Sequence, residues 1–369
     1  MILIASQPFD VHAHDVFTTL NRHGVPASLF YLSQYPSMAK QSIQISNHDA
    51  FSFKHTDAIM PDIEFDRVSC VWMRRGWFTL PHVLDIDARD RNYIFGINRH
   101  YSGYFWRNMS VGLKGVKSWV NDPLAASQAE NKINQLMLAS RMGFQIPDTL
   151  ITNDKDDTIL FQRQIGAPII CKPFYPKLWH EKKVYISYSH MFSSAEEIEA
   201  IDAEAFCAQP VILQRYIPKS YEIRYTVFGE HHTCVKILSQ ESESGKIDWR
   251  QSGPTDLKIE LIEPHKNLRK FVLSYMKALG IEFACFDFIV DSDGEYFFLE
   301  VNQAGQFLWI EAEIPETRLL QKFCNFLIEK AELPGFQVEA TLQNPGQSDA
   351  HTDLRSTDQK CVDIEMYTR

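Results

Sequence analysis

The sequence predicts a mixed α/β fold, α/β at its start and α+β later, in more than one unit, and three patterns carry that expectation. Near the N-terminus MILIAS, the helical spacing of Asp15 to His23, VPASLFYL and RVSCVWM run strand, helix, strand, strand, an order that favours a parallel sheet. Late in the chain FACFDFIV and EYFFLEVN are separated by DSDG, whose Asp-Gly suits the positive φ angles of a tight antiparallel turn. Ahead of them, YEIRYTVFGEHHTCVKILSQ reads as another hairpin and LRKFVLSYMKALG has apolar helical spacing.

Four segments follow from these patterns. Residues 1–121 form the N-terminal α/β unit. Residues 122–210 open on NDPLAASQAENKINQLMLASRMGFQIP, where Asp122 can cap a helix with Pro123 in its first turn and Gly143 can end it. GAPIICKPF and the polar stretch PKLWHEKKVYISYSH complete this segment. Residues 211–332 hold VILQRYI, the hairpins and the amphipathic helix, and residues 333–369, with NPGQSDAHTD, lack apolar periodicity and are expected to be a loosely ordered tail.

Bulk properties narrow the function classes. The chain has 369 residues, enough to bury a sizeable core, and its net charge of −10 disfavours a nucleic-acid or anionic-membrane partner. Seven scattered cysteines without a C-x-x-C pair read as reduced thiols. MILIAS has no basic region before it and reads as a first strand rather than a signal peptide, and no apolar run approaches a membrane span. The expected location is the cytoplasm.

The late hairpin carries the sharpest chemical signal. Pairing around Asp293-Gly294 sets Asp287 opposite Glu300; pairing around the whole of DSDG sets them diagonally. In both registers Asp287, Glu300 and Asn302 project to one face. Carboxylates about 5–8 Å apart repel unless positive charge lies between them. A hard divalent cation would supply it, and oxygen-only ligands suit Mg²⁺, which shares its shell with nucleotide phosphates. The competing reading is a solvated hairpin face.

Phosphates call for cations. Lys172 interrupts the apolar strand IICKPF, where an unpaired ammonium is costly. Lys132 lies on the helical segment after NDP, a common place for a solvated lysine. Glu222, Arg224 and Thr226 share one face of YEIRYTV, which could equally be a charge-paired surface strand.

The order Lys, Lys, Q-x-x-I, Glu-x-Arg and D…E-x-N resembles the ATP-grasp ligases, and more narrowly the ATP-grasp peptide maturases that macrocyclise ribosomal peptides, the microviridin-type graspetide synthetases. The matching pieces are VWMRRG, NDPLAASQAENKINQL, GFQIPDTLITN, IICKPF, LQRYIPKSYEIRYTVFG, KIDWR and FDFIVDSDGEYFFLEVNQAGQFLWIE. The resemblance implies an ATP-grasp fold: an N-terminal α/β pre-ATP-grasp domain, a small central lid domain, and a C-terminal antiparallel-sheet domain with nucleotide held between the last two. It implies that Lys132 and Lys172 reach the phosphates and the adenine side, and that Gln214, Tyr216 and Ile217 form the hinge at the adenine edge. Glu222 would then accept from the ribose, Asp287, Glu300 and Asn302 would bind Mg²⁺, and Arg224 and Arg250 would face the γ-phosphate and the substrate carboxylate. It further implies ATP as cosubstrate, a precursor peptide bound through a leader segment, and often a homodimer.

Several features depart from the family pattern. Gly76 and Gln303 stand where prolines are common, and EAEIP follows LWI in place of a threonine-glycine pair. The stretch after Lys172 has no glycine, so Lys177, Lys182 or Lys183 would cover the phosphates, or the loop is solvated surface. DVHAHD reads as a βα loop more readily than as a zinc site, Arg74 and Arg75 as structural pairs, Cys234 and Cys285 as core, and YSGYFW as domain packing. Three functions are in contention: macrocyclisation of a precursor peptide through acyl phosphates, ligation of free amino acids or small amines, and nucleotide binding without turnover.

Overall fold

The apolar strands of the N-terminal unit build a parallel sheet whose two faces are both covered. β1 (Ile2–Ser6) lies between β2 (Ala27–Tyr31) and β5 (Cys70–Met73), and β6 (Ser118–Val120) extends the far edge. This is why all five residues of β1 are buried and the strand reads as a continuous apolar run. Ile2 and Ile4 pack beneath α1 (Val11–Arg22) and α10 (Leu319–Lys330). Leu3 and Ala5 face α2 (Ala88–Gly112) and the hairpin of β3 (Ala39–Gln44) and β4 (Ser52–Asp57). The structure, a computed structural model, describes residues 1–339 apart from 9, 32–38, 48–50, 59, 76–86, 114, 175–177, 181–183, 187–188, 244 and 252–256. Gly76, Lys177, Lys182, Lys183 and residues 340–369 therefore lie outside the described residues.

Two expectations about this unit change. α1 starts at Val11 rather than near Asp15, because Asp10 caps it by accepting from the Ala13 N–H at 2.9 Å. DVHAHD is thus a buried first turn rather than a loop, with Asp10, His12, His14 and Asp15 all inside the protein. YSGYFW lies within α2, where Phe105 packs into the core with Tyr101 against it and Tyr104 is exposed.

The helical segment after NDP is two helices, α3 (Pro123–Ala129) and α4 (Lys132–Arg141). Asp122 caps the first, with Pro123 in its first turn, and the Asn131 side chain accepts from the Asn134 N–H to start the second. Both pack on the C-terminal sheet, where Ala129, Leu136 and Ala139 join its core.

The central sheet has the order β11-β8-β12-β7, built from β7 (Thr149–Thr152), β8 (Ile169–Lys172), β11 (His190–Phe192) and β12 (Val211–Arg215). α5 (Lys155–Ile165), α6 (Ala195–Glu199) and α7 (Ala203–Cys207) accompany it, and β9 (Leu178–His180) pairs with β10 (Val184–Ile186) beside it. β12 hydrogen-bonds to β7 and β8, so the central unit extends past the expected boundary at 210. Its start also lies later than 122, because α3 and α4 belong to the neighbouring core.

The C-terminal sheet runs β15-β14-β13-β16-β17, from β13 (Lys219–Phe228), β14 (His231–Ile237), β15 (Ile259–Ile262), β16 (Phe283–Asp291) and β17 (Tyr296–Asn302). Alternation sends Ile223, Tyr225, Val227, Phe286, Phe288 and Phe298 to a core under α8 (Lys266–Leu279). On the opposite face, Phe228, Phe283 and Cys285 join the N-terminal core, together with Phe307 just before α9 (Leu308–Glu313). That face also carries Glu222, Arg224 and Asp287 from paired positions on β13 and β16. The tail does not begin loosely: Val338 is fully buried, and its N–H and carbonyl bond the Asn325 side chain on α10.

Neither simple register describes the β16–β17 hairpin. Asp291 donates its N–H to the Glu295 carbonyl and accepts the Glu295 N–H on its side chain, around a three-residue loop in which Gly294 has φ of +81°, and Val290 pairs with Tyr296 and Phe288 with Phe298. The register then shifts, so that Asp287 faces Glu300 and Asn302 faces Cys285. Leu299 is the extra residue of a β-bulge, and the bulge is what sorts the faces. Phe298 and Glu300 would share a face in a regular strand; the inserted residue lets Phe298 stay in the core while Glu300 turns to join Asp287. Gln135 of α4 pins the strand just beyond, donating to the Ala129 carbonyl at 2.5 Å and the Val301 carbonyl at 2.9 Å and accepting from the Val301 N–H at 3.1 Å. Gln135→Ala leaves these buried backbone groups unmatched, and urea unfolding should report a loss of about 2–4 kcal/mol. A loss under about 0.5 kcal/mol would show that the clamp contributes little.

Candidate active site

The bulge brings two acids and an amide together, and basic side chains from three other segments meet them. Asn302 Nδ2 donates to Asp287 Oδ2 at 3.0 Å and to Glu300 Oε1 at 3.2 Å. Arg224 Nη1 reaches both Asp287 oxygens, at 2.9 and 2.8 Å, and its Nη2 donates to the Gln306 carbonyl at 2.9 Å. Lys132, the first residue of α4, donates to Glu300 Oε2 at 2.6 Å. Arg250 lies 3.9 Å from Glu300 Oε1.

The electrostatics of the two acids differ. Burial pushes the Asp287 carboxyl up to about 6, with Arg224 opposing the rise and the charge of Glu300 adding to it. Burial acts on Glu300 in the same sense, but Lys132 and Arg250 outweigh it and hold its carboxyl well below the usual carboxylate range. Two carboxylates and an amide on one sheet face offer the oxygen donors that a hard divalent cation takes. Asp287 and Glu300 would hold it through carboxylate oxygens, and Asn302 through its amide oxygen once the amide is turned about its bond.

The remaining basic groups sit on the central sheet and on β13. Lys172 at the end of β8 donates to Gln214 Oε1 at 2.8 Å, and Gln214 is itself anchored by donating to Thr149 Oγ1 at 3.1 Å. Burial lowers the Lys172 ammonium to about 8; Glu300 opposes the shift and Arg250 adds to it. Tyr216 and Ile217 follow β12 directly, and the Tyr216 N–H donates to the Pro168 carbonyl at 2.8 Å. That donor is engaged, so the hinge would offer the adenine edge other backbone groups than this one. Glu222 is buried and takes a 2.6 Å ion pair from Lys219, which also donates to the Ile247 carbonyl. A ribose would meet a carboxylate already held in place.

Lys219 and Asp248 escaped the sequence reading. Asp248 is buried and receives the Arg250 guanidinium through Nε at 2.8 Å and Nη2 at 2.9 Å, so it aims that half-exposed side chain at the site. Its signal was the acid two residues before the arginine in DWR. Gly305 also belongs here: a Cβ at that position would lie 2.6 Å from Cys285 Cβ and 2.9 Å from Arg224 Nη2. Gln303, one of the departures from the family pattern, is buried, with its amide on Glu130 and its carbonyl on Asn121 Nδ2. Arg74 and Arg75 both bond Asp10, as structural pairing would have it.

The RimK-like ATP-grasp domain model matches residues 129–318, which contain every one of these charged side chains from Lys132 onward. The chain belongs to the RimK-like ATP-grasp family. Members of that family are ADP-forming ligases that use ATP and Mg²⁺. The alpha-aminoadipate–LysW ligase of Saccharolobus solfataricus is 24% identical over 197 residues, covering 51% of this chain and 66% of that protein. Among solved structures, a Chryseobacterium gregarium RiPP-associated ATP-grasp ligase, in complex with ADP and a leader and core peptide, superposes with a TM-score of 0.75 at 22% identity, covering 92% of this chain and 99% of its own. The Microcystis aeruginosa macrocyclase MdnC, bound with precursor peptide MdnA, gives 0.74 at 23% identity over 89% and 99%. These likenesses show the ATP-grasp fold over nearly the whole chain, including the unit before residue 129.

A phosphate held at Lys172 would bind with a pH dependence of defined direction. Below about 8 the Lys172 ammonium is charged and would attract a phosphate; above it the free protein loses that charge, and binding would have to supply a proton. ATP affinity measured by calorimetry should therefore fall by up to about tenfold per pH unit above 8. Lys172→Arg should flatten the profile, and a flat wild-type profile would remove Lys172 from the phosphate site.

Proposed function

We propose that this protein is an ATP-dependent ligase that activates side-chain carboxylates of a ribosomal precursor peptide as acyl phosphates and joins them to Ser or Thr hydroxyls or Lys amines of the same peptide. One observation supports ligase chemistry above all: Asp287, Glu300 and Asn302 meet Lys132, Arg224 and Arg250 on a single sheet face, with Lys172 of the central sheet close enough to feel Glu300.

A carboxylate is a poor electrophile, so its oxygen attacks the γ-phosphorus of ATP and ADP departs. Lys172 and Lys132 are placed to hold the phosphates, and Arg250, aimed by Asp248, to hold the transferring group and the attacking carboxylate. When bound at Asp287, Glu300 and Asn302, Mg²⁺ would neutralise phosphate charge. Arg224, which the resemblance would face toward the γ-phosphate, has its Nη1 on both Asp287 oxygens and its Nη2 on the Gln306 carbonyl, so its part here is to orient Asp287. The acyl phosphate then meets a hydroxyl or amine, which gives up its proton as inorganic phosphate leaves and an ester or amide forms.

The peptide reading draws on the whole-chain fold likeness to two ligases whose structures contain precursor or leader peptides. It includes a leader segment on the precursor and a homodimer. A second reading, ligation of a free amino acid or small amine, draws on the curated relatives, whose matches cover about half of this chain. Among the described residues no helix is long and apolar enough to cross a membrane.

Incubation with ATP, Mg²⁺ and a Thr/Ser- and Asp/Glu-rich peptide encoded beside the gene should give mass losses of one water per bond. Asp287→Asn and Glu300→Gln should each abolish that loss while circular dichroism stays unchanged, because each removes charge with little change of volume. Full activity in either variant would refute the metal assignment. Phosphate release that follows free amino acids and ignores the peptide would favour the second reading.

A further inference from the structure

The loop after Asn302 is held from outside the matched domain. Residues 303–308 lie between the acid cluster and the N-terminal unit, and they present the Gln306 carbonyl to Arg224 Nη2 at 2.9 Å. On their other side the contacts come from residues of the first 121. Arg74 Nη1 donates to the Ala304 carbonyl and lies 3.4 Å from that of Gly305, and Asn121 Nδ2 donates to the Gln303 carbonyl at 2.9 Å.

His12 completes the clamp. Its Nε2 accepts from two consecutive backbone N–H groups, Phe307 at 2.9 Å and Leu308 at 3.1 Å. Both bonds are buried, and the imidazole meets the Phe307 ring edge-on at 5.2 Å between centroids. An acceptor at Nε2 requires the neutral tautomer with its one proton on Nδ1. Burial and the neighbouring Arg74 keep the ring neutral, lowering its pKa to about 3. The two N–H groups precede and open α9, where they would otherwise stay unmatched inside the protein.

We propose that His12 is a positioning residue for the Mg²⁺-nucleotide site: by accepting from Phe307 and Leu308 it fixes the Gln306 carbonyl that orients Arg224, and through Arg224 the Asp287 carboxylate. The proposal rests on the ligase reading only in taking Asp287, Glu300 and Asn302 as Mg²⁺ ligands. The geometry is tight enough to transmit a displacement, because Gly305 already packs with no room for a Cβ against Cys285 and Arg224. A loop released at His12 thus moves the partner of Arg224 rather than relaxing into empty space.

The test compares His12→Gln, which keeps an oxygen acceptor near the place of Nε2, with His12→Asn, whose shorter amide cannot reach it, and His12→Phe, which has none. ATP affinity is measured by calorimetry in Mg²⁺ and again in EDTA, beside the melting temperature. In wild type, Mg²⁺ should tighten ATP binding at least tenfold; no tightening would count against the metal assignment itself, independently of His12. Given that tightening, His12→Phe and His12→Asn should lose most of it while affinity in EDTA changes less than threefold, and His12→Gln should retain it. A merely structural role would lower melting temperature and both affinities together. Retention of the Mg²⁺ effect in His12→Asn, or its loss in His12→Gln as fully as in His12→Asn, would overturn the proposal, and this pair decides the matter even if His12→Phe does not fold.

Discussion

Two carboxylates on one buried sheet face repel each other, and the architecture around them answers that repulsion. Arg224 on the adjacent strand takes Asp287 with both oxygens, Lys132 on the docked helix takes Glu300, and the Asn302 amide bridges the two. These partners come from three separate parts of the chain, so the acids can be charged together only once β13, β16, β17 and α4 are assembled. Removing one partner from such a pair would leave an uncompensated buried charge, which costs more than the pair contributes.

The scaffold therefore has to be stiff where the acids are. Gln135 locks Val301 next to the bulge, and Tyr275 of α8 donates to the Gln135 carbonyl at 3.0 Å. Phe271, Tyr275, Phe286, Phe288 and Phe298 fill the core directly behind the acid face with edge-on and tilted ring contacts. The opposite face of the same sheet divides its residues between the acid cluster and the apolar seam with the N-terminal unit, where Phe283 and Phe307 meet Phe323. The acid cluster and the interdomain packing thus share one surface, and α10 closes the seam by running back to Trp72.

The lid side is built differently. Lys172 is carried on a short sheet with its own small core of Ile169, Phe192, Ile198 and Leu213, separate from the other clusters. Its link to the acids is electrostatic, through Glu300, rather than a direct hydrogen bond. The acid-bearing sheet and the sheet that carries Lys172 are thus packed around separate cores.

The sequence by itself determined the parallel start of the chain, the two late hairpins and the placement of Glu300 and Asn302 on one face of their strand, because strand alternation and the Asp-Gly turn are local properties. It also determined that Lys172 needed a partner, because an ammonium inside an apolar strand admits no other reading. Only the tertiary structure decided how the face is reached: the bulge at Leu299 is invisible in EYFFLEVN, since it exists to reconcile Phe298 with a core made by β16 and α8. The break between α3 and α4, the placement of β12 in the central sheet and the packing of Val338 were likewise settled by distant partners. The roles of Lys219, Asp248 and His12 went unread for the same reason, since each is defined by a partner whose position the local pattern does not encode.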